Sequence, residues 1–219
     1  MNTKLKLLIF SDILILSSFG LIAPIFAIFI NENLSGGSLA SAGLATTIFL
    51  VVKSSFQLPL SKYFVDKERH KTRLLLFGTA LIISVPFIYV FAEHVNTIFI
   101  AQAVYGLGTA FAYPAWFSLF TSYIDKRHTG FEYAVYSTSI GLGAAVAAFL
   151  GAKVAEAFGF KALFFTVGGV AFIGFLILVI LDGIEGKDLR REERINQKKL
   201  RDKKKRQKAF IKGVRRKKR

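Results

Sequence analysis

Six apolar stretches, each about twenty residues long, constrain this chain of 219 residues more than any other feature. A helix needs about 20 mostly apolar residues to cross the hydrocarbon core of a bilayer. Polar or charged residues separate the stretches, which predict spans at Leu7–Ile30, Leu39–Leu60, Leu74–Ala92, Thr97–Ile124, Phe131–Ala152 and Ala162–Leu181. Because the apolar runs are continuous rather than alternating, they exclude a closed barrel. The sequence therefore predicts an all-α membrane protein with six transmembrane helices.

The positive charge is concentrated at one end of the chain. Residues 187–219 hold 18 of the 30 Lys and Arg residues but only 4 of the 14 acidic ones, so most of the net charge of +16 lies there. The rest is almost neutral, and the mean hydropathy of the whole chain is +0.47. These numbers exclude a single basic globular domain. We predict a six-span bundle over residues 1–186 and a basic cytoplasmic tail over residues 187–219.

The residues that would carry enzyme chemistry are missing from the sequence. There is no cysteine, so a thiolate metal site, a disulfide and a cysteine nucleophile are excluded. Three scattered histidines give no metal-ligand spacing. Neither a nucleophile triad nor a phosphate-binding glycine loop is evident. We therefore expect neither an enzyme nor a bound cofactor or metal.

Basic residues of short loops collect on the cytoplasmic side of a membrane, and here they are distributed asymmetrically. One set of loops carries Lys4, Lys6, Lys62, Lys67, Arg69, Lys71, Arg73, Lys126 and Arg127, together with the basic tail. The opposite set has only Lys153 and Lys161, beside Glu32, Glu93 and Glu156. This pattern predicts a cell (inner) membrane protein with both termini in the cytoplasm.

The first three predicted spans match the last three at an offset of 90 residues. Chemically similar residues coincide in this register, namely Pro24 with Pro114, Leu60 with Leu150, Asp66 with Glu156, Lys71 with Lys161 and Gly78 with Gly168. Because each unit has an odd number of helices, the second copy would be inverted in the membrane. The offset therefore predicts an inverted 3+3 repeat, an arrangement typical of transporter bundles.

The loop after the second span carries a charge pattern, and three helices carry glycine patterns. Residues 62–71 resemble the loop signature G-x-x-x-D-R-x-G-R-R of the major facilitator superfamily, with Asp66 in the acidic position and Lys67, His70 and Lys71 in basic ones. Lys62 and Arg69 replace its glycines. The segments around Gly20 and Pro24, around Gln102, Gly106 and Gly108, and around Gly143 and Gly151 resemble the first, fourth and fifth helices of the family.

The resemblance implies the N-terminal six-helix half of such a transporter, with alternating access as its mechanism. It assigns a cytoplasmic gating role to Asp66, Lys67, Arg69, His70, Lys71 and Arg73. An arginine often found at the position of Gln102 is absent. Ala147 and Ala148 replace the Gly-Pro pair of antiporters, which argues against proton-driven drug export. Transport of a small solute would require a second bundle, either another copy in a homodimer or a separate half.

Two ionisable residues lie within predicted spans, where such residues are costly and mark functional sites. Lys53 is deep in the second span, and the alternatives are a solute or counter-ion role and a structural partner for another buried group. Asp12 is nearer the cytoplasmic surface, where Lys4, Lys6 or water could satisfy it. Gln57 lies one turn from Lys53. We predict that the substrate or coupling site includes Asp12, Lys53, Gln57, Gln102 and Tyr105, and that Lys53 and Gln57 help bind an anionic or polar solute.

Small residues within the spans allow helix backbones to approach closely. We assign Gly20, Pro24, Gly106, Gly108, Gly143 and Gly151 to helix packing. In the tail, early glutamates and later basic residues favour a helix in its first half. Three roles remain open for the tail: contact with anionic lipid, binding of RNA, and docking of a partner bundle. Few aromatic residues there make nucleic acid the weaker choice. The functional alternative is a non-transporting scaffold or a truncated remnant.

Overall fold

The structure, a computed structural model, describes residues 2–65 and 71–217. Within these ranges the chain forms α-helices joined by short loops, and its only extended pairing is an isolated bridge between Ser35 and His94. The prediction of an all-α protein is confirmed. The described helices are α1 (Thr3–Gly20), α2 (Phe26–Asn33), α3 (Leu39–Leu60), α4 (Lys71–Val90), α5 (Val95–Tyr123) and α6 (Thr129–Lys217).

Five helical segments of the described chain are long and apolar enough to cross a membrane. They cover Thr3–Asn33, Leu39–Val65, Lys71–Val90, Val95–Tyr123 and Thr129–Arg191. The first four correspond to the first four predicted spans. The last is 63 residues long and contains both the fifth and the sixth. It is interrupted at Gly159, whose φ of 79° and ψ of 170° lie outside the helical region and are accessible mainly to glycine.

Local sequence explains where several helices begin or break. The Asn2 side chain caps α1 by accepting from the backbone N–H of Lys4. Ser38 and Ser41 form a reciprocal capping box that starts α3. Pro24 lies in a 3-10 turn, Ala23–Ile25, that separates α1 from α2, and it lacks the backbone N–H that a continuing helix would use. Pro24 is exposed there and marks a break in the first segment.

Glycines bring α5 close to α3 and α4. A Cβ atom built on Gly106 would lie 2.7 Å from the carbonyl oxygen of Phe49 in α3. One built on Gly108 would lie 2.8 Å from the carbonyl oxygen of Gly78 in α4. Both distances are shorter than a carbon side chain tolerates, so these helices approach backbone to backbone, as small residues allow in membranes.

Small residues also bring α1 against the first half of α6. A Cβ atom on Gly151 would collide with the backbone of Leu21, and one on Gly143 would collide with the hydroxyl of Ser17. Near Gly20 the neighbouring residue is Ala147. The residues at this helix crossing have small side chains or none. Their size allows α1 to contact residues of α6 that lie about 125 positions later in the sequence.

The chain divides into two compact units, Met1–Leu181 and Asp182–Arg219. The first unit contains two apolar clusters, one including Ile30, Ile98 and Phe164 and the other including Leu5, Trp116 and Leu178. The second unit is the C-terminal part of α6, whose helical backbone extends to Lys217. The predicted boundary of the tail at residue 187 lies five positions after the start of this unit.

Candidate solute site

A cavity of about 300 Å³ lies inside the first unit, between α1, α3, α4, α5 and α6. Three of the five predicted site residues line it, namely Asp12, Lys53 and Tyr105. Further polar lining comes from Ser11, Thr79, Thr109, Tyr113, Trp116 and Tyr136. Its volume is at the lower end of the range of small-molecule pockets. The cavity therefore suits a small solute.

Asp12 projects from α1 and is held by α6. The phenol of Tyr136 donates a hydrogen bond of 2.7 Å to one carboxylate oxygen of Asp12. The sequence pointed instead to Lys4, Lys6 or water as partners of Asp12. Lys4 lies over the ring of Tyr123, 5.7 Å from its centroid. The tyrosine hydrogen bond fixes the orientation of the carboxylate and leaves its other oxygen available to the cavity.

Lys53 projects from α3 and lies between two aromatic rings. Its ammonium nitrogen is 5.3 Å from the ring centroid of Tyr113 and 5.9 Å from that of Phe49. Both distances are within the range of cation–π attraction, which draws a cation toward the electron-rich ring face. The side chain is half-buried. The rings position the ammonium group without neutralising its charge.

Asp12 and Lys53 line the same cavity but do not form an ion pair with each other. Across residues 2–65 and 71–217, neither side chain has an oppositely charged partner within 4.0 Å. Both lie in segments apolar enough to span a membrane. The cavity therefore presents one negative and one positive group, each without a charged partner in the described chain.

Aromatic rings form two walls of the cavity. On one side, Tyr105 is stacked between Phe19, at 5.0 Å between centroids, and Phe49, at 4.6 Å. On the other side, Trp116 lies 4.8 Å from Tyr136. All five of these rings belong to the cavity lining. The cavity thus combines two charged groups with a largely aromatic lining.

A second cavity, of about 360 Å³, adjoins the first along α1. The residues common to the two linings are Leu16, Phe19 and Tyr105. Gln102 belongs to this second cavity, and its side-chain amide donates a 3.1 Å hydrogen bond to the phenol oxygen of Tyr89. The stacked rings of Phe19 and Tyr105 therefore form the partition between the two spaces.

Gln57 does not share the cavity of Lys53, although the two lie one turn apart on α3. It lines a separate space of about 330 Å³ with Ser61, Pro114 and Ser118. Tyr113 lines both spaces and stands between them. The predicted cluster of five polar residues is therefore divided among three neighbouring cavities.

The predicted gating loop is described only at its end. Asp66, Lys67, Arg69 and His70 lie outside the described residues. Lys71 is half-buried and donates a 2.6 Å hydrogen bond to the hydroxyl of Ser118, which joins the start of α4 to α5. Arg73 is exposed. The two basic residues at this end of the loop therefore have different surroundings.

Five aromatic residues of the main cavity were not predicted from the sequence as site residues: Phe19, Phe49, Tyr113, Trp116 and Tyr136. Tyr105, Thr109 and Tyr113 recur every four positions on α5, and this helical spacing places them on one face. That pattern could have identified the α5 side of the cavity. Tyr136 has no comparable signal, because its partner Asp12 is 124 positions away.

The corner between α5 and α6 contains a second polar cluster, formed by residues 125–128 of the loop between spanning segments and by Glu132 near the start of α6. Asp125 accepts from the backbone N–H of Arg127 at 2.9 Å and lies 3.0 Å from the ring nitrogen of His128. These contacts hold the pKa of Asp125 below its ordinary value of 3.8. The buried Glu132 accepts from the backbone N–H of Asp125 at 2.9 Å. The carboxylates of Asp125 and Glu132 thus hold the backbone of this corner through hydrogen bonds.

The family match, the sequence relatives and the similar solved structure are all transporters. The sequence matches the family described as Major Facilitator Superfamily over residues 8–218. It is 25% identical over 200 residues, 90% of this chain, to the multi-drug resistance efflux pump PmrA of Streptococcus pneumoniae. It is 30% identical over 152 residues, 68% of this chain, to the probable vesicular acetylcholine transporter-B of Danio rerio.

These relatives are longer than the chain. The matched regions cover 49% of the pneumococcal pump and 29% of the zebrafish protein, so the chain spans about half the length of the former. Among solved structures, the POT family transporter PepTSo superposes with a TM-score of 0.72 and 17% identity, over 82% of this chain and 37% of that one. This likeness concerns the fold. With its long apolar helices and its near-complete family match, the chain is a multi-pass membrane protein of a transporter family rather than an enzyme, and it belongs to the major facilitator superfamily.

Proposed function

We propose that this chain forms one six-helix bundle of a transporter that moves a small solute by alternating access. The observation that carries the proposal is the shared cavity of Asp12 and Lys53, two charged groups inside apolar segments. Ionisable residues in such places generally mark the path of a solute or an ion, because they are costly to keep there otherwise. Asp12, Lys53 and Tyr105 would contact the solute.

The proposed topology has six crossings and both termini in the cytoplasm. A continuous helix of 63 residues would be about 95 Å long, roughly three times the thickness of the hydrocarbon core. Gly159 provides a point at which this segment can turn back. The two groups of three helices would then be related as an inverted repeat, and the residues from Asp66 to Arg73 would close the cytoplasmic face.

Alternating access requires a second bundle, since one bundle cannot rock against itself. We propose either another copy of this chain, in a symmetric dimer, or a separately encoded bundle. Native mass spectrometry of the protein, extracted gently from its membrane and checked by crosslinking, tests this requirement. A defined pair of bundles is expected. A stable lone bundle would contradict transport by rocking and favour the scaffold or remnant alternative.

Binding of solute is tested on the purified chain in lipid nanodiscs. A panel of amino acids, organic cations, organic anions and sugars is screened for compounds that raise the melting temperature, and uptake of each hit into proteoliposomes is then measured. The Lys53→Met variant should lose the response, whereas Lys153→Met, which removes an exposed lysine of α6, should keep it. Equal affinity and uptake rate in correctly inserted Lys53→Met would contradict the proposed site.

For the basic tail we propose contact with anionic lipid headgroups. A basic residue near an anionic surface contributes about 1 kcal/mol of attraction, and 18 such residues lie in residues 187–219. In the full-length chain reconstituted into vesicles that contain phosphatidylserine, the tail should be protected from protease at low salt but cleaved at high salt. Equal protection by neutral vesicles would contradict lipid attraction, and displacement by RNA would favour the nucleic-acid alternative.

A further inference from the structure

We propose that the solute is a zwitterion with a flat apolar body, its cationic group bound by Asp12 and its anionic group bound by Lys53. The inference rests on the proposed function, because it names the substrate class of the same cavity. It depends on one relationship: two opposite charges line one cavity without being paired to each other.

The negative end of the site is already arranged for a donor. Tyr136 occupies one oxygen of Asp12 with its hydrogen bond and orients the carboxylate from the α6 side. A second donor at the other oxygen would complete the coordination, and a ligand ammonium group supplies both the donor and the compensating charge.

The positive end is arranged for an acceptor. Lys53 has three donor hydrogens, while its contacts with Phe49 and Tyr113 are ring faces, which attract the cation but do not accept a conventional hydrogen bond in its place. A ligand carboxylate would accept from the ammonium group and neutralise it.

A ligand of single charge satisfies only half of this site. An anion at Lys53 leaves Asp12 unpaired within the spanning segments, and a cation at Asp12 leaves Lys53 unpaired. A charged group buried without a partner is strongly unfavourable, so binding that compensates both groups is favoured over binding that compensates one. The ring stack of Phe19, Tyr105 and Phe49 would contact the apolar body between the two charges.

Two matched sets of compounds test the inference on the full-length chain in nanodiscs by isothermal titration calorimetry. In the first set, phenylalanine is compared with phenethylamine and hydrocinnamate, which lack one charge each. In the second, para-aminomethylbenzoate, whose charges are at opposite ends of the ring, is compared with para-methylbenzylamine and para-toluate. In at least one set the zwitterion should bind about tenfold or more tightly than either analogue, as expected for one additional charge-assisted contact.

Variants then assign each charge. Asp12→Asn should bind the zwitterion only as tightly as the unmodified chain binds the anionic analogue. Lys53→Met should bind it only as tightly as the unmodified chain binds the cationic analogue. Asp125→Asn and Lys153→Met, which alter exposed residues outside the cavity, should leave the preference unchanged. The comparison within the unmodified chain needs no variant, so misfolding of one variant does not remove the test.

Equal binding of a zwitterion and its singly charged analogue, in both sets, would overturn the inference. If that binding still required Lys53, the proposed solute site would stand while the substrate class would be wrong. Absence of binding by all six compounds would also overturn the zwitterion inference, and uptake into proteoliposomes would then decide separately whether the chain supports transport.

Discussion

The phenol of Tyr136 donates a 2.7 Å hydrogen bond to the carboxylate of Asp12, joining two residues 124 positions apart in the sequence. The contact links α1 to the first half of α6 at the edge of the main cavity. It fixes a carboxylate that would otherwise be an isolated acidic group inside an apolar helix. The pair therefore connects the geometry of the cavity to the stability of the bundle.

Removing the Tyr136 hydroxyl should destabilise the protein. Tyr136→Phe keeps the ring but leaves Asp12 without its donor, and the expected loss is about 1–3 kcal/mol in the free energy of unfolding. Thermal unfolding can be followed by the fluorescence of Trp116, the single tryptophan of the chain, which lies beside Tyr136. Tyr133→Phe, an exposed tyrosine of the same helix, is the matched control. An equal loss in both variants would show that the contact with Asp12 is not responsible.

Lys71 and Ser118 should be energetically coupled. A double-mutant cycle with Lys71→Met and Ser118→Ala should give an interaction energy of about 0.5–1.5 kcal/mol, because the 2.6 Å hydrogen bond joins α4 to α5. Arg73→Met in place of Lys71→Met is the control, since Arg73 is exposed. Additive effects of Lys71→Met and Ser118→Ala would contradict the coupling.

Two glycines of α6 should respond differently to the same methyl group. Gly151→Ala places a Cβ atom against the backbone of Leu21 and should reduce stability by about 1–3 kcal/mol, as overpacking typically does. Gly141→Ala meets open space and should be neutral or stabilising by up to about 1 kcal/mol, because alanine favours the helix. Melting temperatures of the two variants in the same lipid provide the test. A tolerated Gly151→Ala would mean that α1 and α6 are farther apart than described.

The corner between α5 and α6 should weaken in acid. The pKa of Asp125 is lowered by its hydrogen bonds with Arg127 and His128, so its charged form is favoured in the folded protein. Its stabilising contribution is therefore present above its ordinary value of 3.8 and is lost as the pH falls through the lowered pKa.

The measurement is the difference in melting temperature between the unmodified chain and Asp125→Asn. That difference should be present near neutral pH and should disappear in strong acid. A difference that is constant across this range would contradict the role of the charge. Lys153→Gln, a change at the exposed ion pair with Glu156, should not show the same pH dependence.

The length of the continuous apolar runs was sufficient to predict most of the transmembrane helices from the sequence. The first four spans correspond to helical segments of the structure because continuous apolar runs allow few other structures in a membrane. The fifth and sixth spans occur within one helical segment, broken at Gly159. Gly159 lies between the two predicted spans, in the stretch 153–161 that carries Lys153, Glu156 and Lys161. The position of the break was therefore predictable, whereas the helical conformation of the residues on both sides of Gly159 was not.

The site was only partly predictable because cavities depend on contacts between helices. Asp12 and Lys53 were predicted as site residues because both are ionisable residues within spans. The structure places both in the lining of one cavity. Helical spacing grouped Gln57 with Lys53, yet the ring of Tyr113, from another helix, separates them. This separation depends on packing between α3 and α5, so the sequence pattern of α3 alone could not predict it.

Tyr105 has a consequence for how a molecule travels through the bundle. Its ring and that of Phe19 bound both the main cavity and the adjoining one, so a passage along α1 between the two cavities would require both rings to move. Because Tyr105 is stacked against both Phe19 and Phe49, its ring cannot rotate without displacing a neighbouring ring. Under the proposed function, the rate at which a solute moves along α1 would depend on the joint movement of these rings as well as on the movement of whole helices.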